Sequence, residues 1–130
     1  MEFDLNETPD ALPVMAVTAC YATGETVFRN VAHARIKETD RIAVMCRELR
    51  RMGADIEELP DGLVIRESAL RGADVNGCGD HRVVMALALA GLSCAGETRV
   101  STAEAAGVTF PQFAEFMTSL GAALKSAPSA

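Results

Sequence analysis

The chain has no Cys-x-x-Cys pair, no basic surplus, no apolar run long enough for a bilayer and no glycine-rich phosphate loop. Each absence removes a class of function. Twelve Lys and Arg face eighteen Asp and Glu, for a net charge of −6. A protein that binds duplexes presents a basic excess, so nucleic acid is not an expected partner. The longest apolar stretch, Val83 to Leu92, is half the roughly 20 residues a membrane helix needs, so no membrane partner is expected. The first residues, MEFDLNETPD, carry neither the basic nor the apolar region of a signal peptide, and a cytoplasmic location is expected. With no P-loop, no G-x-G-x-x-G and no Ser-His-Asp order, nucleotide and acyl-transfer chemistry lack support. Cys20, Cys46, Cys78 and Cys94 read as reduced thiols, the first two as small hydrophobes inside apolar helices. Cys78 and His81 stand three apart, but no second pair has zinc spacing. No metal site is expected from these spacings.

What is present is ordinary globular material: 130 residues, 49% hydrophobic and 23% charged. Such a chain forms one compact domain or part of a larger one. It also repeats itself. PDALPVMAVTACYATGET (9–26) resembles GDHRVVMALALAGLSCAGET (79–98), each an Asp, an apolar helix and Gly-Glu-Thr before a β-like run. CRELRRMGADI (46–56) resembles EFMTSLGAAL (115–124), with Gly53 and Gly121 placed as helix C-caps. The pattern predicts helices over 11–22, 41–52, 81–93 and 110–121, and strands over 26–31, 54–59, 63–67 and 98–102. Pro60-Asp61-Gly62 reads as the turn of a hairpin. Helix 41–52 carries the stripe Ile42, Met45, Leu49 and Met52, with Arg47, Glu48, Arg50 and Arg51 read as outside it. Helices 11–22 and 81–93 are apolar nearly all round, which marks buried helices. The expectation is an α/β fold with helices enclosed by sheet. Repeat one covers about 9–67 and repeat two about 73–124. Residues 1–8 and the tail 125–130 read as loose ends.

Chemistry gathers at helix starts. Asp10, Asp40, Asp80 and Thr109 can each cap a helix by accepting its first free N–H groups. Pro13 and Pro111 fall in first turns, where a missing N–H matters little. Capping does not account for the cations. Arg41 and Arg82 sit in first turns, against a helix dipole that is already positive, with Lys37 and His81 beside them. Each arginine could point to solvent or pair with a neighbouring acid such as Glu38. Their recurrence at equivalent points of the repeat favours an anion between the two helix ends, phosphate or carboxylate. Glu38, among Arg35, Lys37 and Arg41, could act as a general acid or base in such a pocket, and so could Asp10.

The run Arg35-Ile36-Lys37-Glu38-Thr39-Asp40-Arg41 resembles the R-x-K-E-[ST]-[DN]-R signature of the 5-enolpyruvylshikimate-3-phosphate synthase family. Asp80-His81-Arg82 before an apolar helix resembles that family's D-H-R element. Pro9-Asp10-Ala11, Leu59-Pro60-Asp61-Gly62-Leu63 and Thr109-Phe110-Pro111 follow in the family's order, so the resemblance spans about 5–124. It implies a reaction without metal or organic cofactor: phosphoenolpyruvate gives its enolpyruvyl group to the 5-hydroxyl of shikimate 3-phosphate through a tetrahedral intermediate, releasing phosphate. By the same resemblance, Glu38 would handle the proton at the methylene carbon of phosphoenolpyruvate. Asp10 would contact the shikimate hydroxyls and assist deprotonation of the nucleophile. Arg41, His81 and Arg82 would hold phosphoenolpyruvate, Lys37 would approach the shikimate phosphate, and His33 would make a polar shikimate contact.

Two features depart from the family. Val108 stands where some members have a lysine before Thr-Phe-Pro. The family enzyme is also several times longer, with the active site between two similar domains, and this chain matches only the C-terminal portion of the second. A full domain holds three βαβαββ units, of which about two are expected here, the first without its opening strand. The apolar helices should then leave a side uncovered, to be covered by the missing domain or by self-association. Two readings follow. One is the C-terminal part of an enolpyruvyl transferase, inactive alone. The other is a truncated relative that acts as an anion-binding or interaction module without turnover.

Overall fold

The computed structural model describes residues 1–37, 39–94 and 96–102. Glu38, Val108, the Thr109-Phe110-Pro111 element, the helix expected over 110–121 with Gly121 and the tail from 125 lie outside the described residues.

The chain opens with β1 (Glu2–Asp4), a short 3-10 turn (Pro9–Ala11) and α1 (Leu12–Ala19). β2 (Glu25–Arg29), a second 3-10 turn (Ala32–Ile36) and α2 (Arg41–Arg51) follow. A hairpin of β3 (Asp55–Leu59) and β4 (Gly62–Arg66) closes this βαβαββ unit. β5 (Asp74–Asn76), α3 (His81–Leu92) and β6 (Arg99–Ser101) begin the next. The first unit forms a four-stranded sheet in the order β1-β2-β4-β3, and β5 and β6 form a parallel pair.

The opening strand that the sequence reading found absent is therefore present, and residues 1–8 are not loose. β1 runs parallel to β2, with Phe3 opposite Phe28 and their rings stacked at 5.7 Å. Three residues are too few to show a period, and the strand is held by a partner more than twenty positions along the chain.

The sheet has one apolar and one charged face, as a half-covered sheet should. Thr26, Phe28, Ile56, Leu63 and Ile65 are buried. On the other face Arg66 reaches Glu25, Asp55 and Glu57 at 3.2 Å, and Arg29 pairs with Glu2. The apolar stripe of α2 lies in the core, with Ile42, Met45, Leu49 and Met52 all at 0% exposure. α2 starts on the Asp40 cap, whose carboxylate accepts the Ala43 N–H at 3.0 Å. It ends in a Schellman turn, with Ala54 N bonded to Leu49 O, Gly53 N bonded to Arg50 O and Gly53 at φ +96°. The expected α1 and α3 are buried helices and pack on each other. Leu12, Ala16, Val83, Ala86, Leu87 and Ala90 have no exposure, whereas Val14 of α1 and Tyr21, in the turn after it, are partly exposed to solvent.

One residue of α2 departs from expectation. Glu48 is fully buried. It stands three residues after Met45 and four before Met52, so helical spacing puts it beside the stripe and not outside. Its charge, not its position, made it read as a surface residue.

The two halves share backbone geometry as well as sequence. Gly24 and Gly96, in the paired Gly-Glu-Thr steps, take φ of +82° and +92°. Asn30 and Thr102, the same distance after each glycine, both take φ of +58°. In each half the left-handed residue ends the strand.

Candidate functional site

Three connections bring the charged residues together, each leaving the carboxyl end of a strand and entering a helix. β1 leads to Asp10 and α1. β2 leads through His33 and Lys37 to Asp40, Arg41 and α2. β5 leads to Asp80, His81, Arg82 and α3. In open α/β sheets this edge is where ligands collect.

Arg41 is the hub. It is 1% exposed. Its Nε donates to Asp80 Oδ2 at 2.8 Å and an Nη donates to Asp80 Oδ1 at 3.2 Å, a two-pronged guanidinium–carboxylate pair. The other Nη donates to Asp10 Oδ1 at 2.8 Å. Asp80 has no exposure and still caps α3, accepting from Arg82 N at 2.9 Å. The anions that face Arg41 here thus include two carboxylates of the chain itself. Asp40 likewise both caps and pairs, taking Arg35 at 2.8 Å. Arg35 also holds Glu58 and the carbonyls of Leu59 and Pro60. Burial lowers the Arg35 guanidinium's proton affinity, but its bonds to Glu58 and Asp40 outweigh that and raise it. The signature loop is thereby tied to the tip of the β3–β4 hairpin.

Lys37 and Arg82 stand differently. Neither pairs with a carboxylate among the described residues, and the Arg82 Nε is buried without a hydrogen-bond partner there. Both are close enough to act on Asp10. Burial tends to raise that carboxyl, but the Arg41 hydrogen bond and the charges of Arg41, Lys37 and Arg82 outweigh it and hold Asp10 below its ordinary 3.8. A carboxylate whose folded pKa is depressed adds stability above its unfolded value, and loses it as pH falls through the folded one. Asp10 is half-exposed, so solvent screens the effect. An Asp10→Asn variant should therefore show a smaller drop in urea midpoint than the parent between about pH 6 and pH 3. Equal drops would show that the Arg41 pairing does not govern Asp10.

The structure thus gathers Asp10, Lys37, Arg41 and Arg82. His81 opens α3 beside Arg82 and is half-buried. His33 lies against the loop that follows β1, its Nε2 3.0 Å from the Asn6 carbonyl oxygen. From sequence Asp80 reads as a helix cap and as the first residue of the D-H-R element. Its second role as the buried partner of Arg41 had one available signal, its place in the repeat opposite Asp10. Among the described residues no three of His, Cys, Asp and Glu converge as metal ligands, and no helix is long and apolar enough to cross a membrane.

Comparison with known proteins identifies the family and the fold. The family described as EPSP synthase (3-phosphoshikimate 1-carboxyvinyltransferase) matches residues 1–117. A 3-phosphoshikimate 1-carboxyvinyltransferase of Ruminiclostridium cellulolyticum is 65% identical over 120 residues, covering 92% of this chain and 28% of that protein. The one from Acetivibrio thermocellus is 63% identical over 121 residues, covering 93% and 29%. Among solved structures, EPSP synthase from Acinetobacter baumannii superposes with a TM-score of 0.82 at 31% identity, over 85% of this chain and 27% of that one. The enolpyruvyl transferase NikO of Streptomyces tendae shares the fold, with a TM-score of 0.76 at 22% identity over 98% of this chain and 29% of that one. The chain spans less than a third of the length of these relatives. With the signature loop, the D-H-R element and a family match over most of its length, the chain belongs to the EPSP synthase family.

Proposed function

We propose that this chain is the C-terminal part of an enolpyruvyl transferase and supplies one wall of its active site. The substrates are phosphoenolpyruvate and shikimate 3-phosphate. The 5-hydroxyl adds to phosphoenolpyruvate as its methylene carbon takes a proton, and loss of phosphate and of that proton completes the transfer. Glu38 would manage the proton at carbon, and Asp10 would assist deprotonation of the hydroxyl. Arg82, His81 and Arg41 would hold phosphoenolpyruvate, Lys37 the shikimate phosphate, and His33 a shikimate hydroxyl. The observation that carries this reading is that Lys37 and Arg82, which pair with no carboxylate among the described residues, both lie close enough to Asp10 for their charges to act on it. Helix N–H groups and a guanidinium fork suit an anion there.

Turnover needs charges placed around a dry cleft from several sides. This chain spans 28% of its relative's length, so we expect binding without turnover until the remainder of the protein is supplied. That remainder, or a second copy, would also cover the exposed Val14 and Tyr21. Four free thiols fit the reducing cytoplasm.

The test is an amide NMR titration of the chain with phosphoenolpyruvate, with and without shikimate 3-phosphate. Selective shifts at Lys37, Arg41, His81 and Arg82 are expected. A folded spectrum unmoved by millimolar concentrations of both would overturn the reading and leave a scaffold.

A further inference from the structure

The four fully or nearly buried polar side chains among the described residues are Thr26, Arg41, Glu48 and Asp80. Arg41 and Glu48 lie seven residues apart on α2, two turns along one face. Both reach into the second unit, and they grip the two ends of the same loop. Arg41 holds Asp80, at the far end. Glu48 Oε1 accepts the backbone N–H of Asn76, at the near end, at 2.6 Å. Glu48 Oε2 accepts from Arg47 Nε at 2.6 Å and lies 3.6 Å from Arg51 Nε.

The intervening residues need such control. Cys78 and Gly79 both take positive φ, at +53° and +69°, a conformation costly for a residue with a side chain. Asn76 turns its own Oδ1 back onto Cys78 N at 2.8 Å and Ser101 Oγ at 3.0 Å. Arg47, the partner of Glu48, donates to Cys78 Sγ at 3.3 Å. A buried carboxylate is a poor way to gain stability alone, since its desolvation offsets much of its pairing. What Glu48 does that a leucine could not is accept the strand-end N–H and hold Arg47 against the loop.

We infer that Glu48 is a positioning residue: it fixes the start of loop 76–80 and thereby sets where the following His81 and Arg82 stand. The inference rests on the anion site proposed above for the importance of that placement, but the loop's conformation can be read without any ligand.

The experiment compares Glu48→Gln with Ile65→Val, a core change in the sheet away from the loop, in the 130-residue chain. Gln keeps the size and one acceptor but turns N–H groups toward Arg47. For Glu48→Gln, amide exchange across 76–83 should quicken about tenfold relative to the β3–β4 hairpin, and phosphoenolpyruvate should bind about tenfold more weakly, the scale of one hydrogen bond to a charged group. Ile65→Val should lower the urea midpoint while leaving the 76–83 shifts and the affinity unchanged. If Glu48→Gln does not fold, Arg47→Ala, at an exposed side chain, should give the same pattern more weakly. Exchange across 76–83 that rises no more than in Ile65→Val overturns the role of Glu48. A parent chain that ignores phosphoenolpyruvate while Glu48→Gln still loosens the loop would remove the proposed function and leave the positioning intact.

Discussion

Replacing Arg41 with methionine is expected to destabilise the chain by about 3–5 kcal/mol, the range seen when one partner of a buried ion pair is removed. The side chain is almost wholly buried and Asp80 is completely so, so the variant strands a carboxylate in the core. The Asp10 arm contributes little to this loss, because Asp10 stays half in water. A domain of this size has about 5–15 kcal/mol of total stability, so a large part of it would go. The double variant Arg41→Met/Asp80→Asn should recover much of the loss. Asparagine still caps a helix, and the stranded charge is gone. Urea unfolding followed by circular dichroism measures both. A single-variant loss below about 1 kcal/mol would put the pair on the scale of a surface bridge and contradict its burial.

The helix ends that carry the candidate site were legible because their signals are local. A cap, a first-turn cation and a C-cap glycine are properties of three or four consecutive residues, and Asp40, Asp80, Arg41, Arg82 and Gly53 could be read in that way. The hairpin was legible from Pro60-Asp61-Gly62 between apolar runs, and the α2 stripe from its period. What failed was long-range. β1 exists because Phe3 finds Phe28, and no window of MEFDL contains that fact. The pairing of Arg41 with Asp80 joins positions 39 apart, and the burial of Glu48 depends on β5 lying over α2. A charge in a helix reads as solvated until its partner is known. Those same long-range contacts hold the two units in register, so the parts least visible in sequence are the ones that assemble the site.

The hairpin tip shows how a single small residue can serve that assembly. Gly62→Ala is expected to destabilise the chain by about 3 kcal/mol or more, above the usual range for an added core methyl. An alanine Cβ there would overlap the carbonyl oxygen of Phe28 and lie 2.7 Å from its carbon. The obstacle is backbone of the neighbouring β2, which cannot rotate aside as a side chain can. The strand must move, and with it the turn that supports the signature loop. Asp61 Oδ2 accepts the Asn30 N–H at 3.0 Å and its carbonyl accepts the Val31 N–H at 2.9 Å. Leu59 and Pro60 give their carbonyls to Arg35, which holds the Asp40 cap of α2. Displacing the tip therefore loosens the chain at both ends of 30–40, which carries Lys37 and leads to Arg41. The melting temperature should fall by roughly 10 °C or more, and in the cold, where the variant is still folded, the amide shifts should change most over 30–41. Gly24→Ala is the contrasting change: an added Cβ there meets nothing, and only the φ of +82° opposes it, so its loss should be smaller and confined to the turn before β2. Equal losses with equal shifts at 30–41 would show that backbone strain, and not the close approach of two strands, governs both glycines.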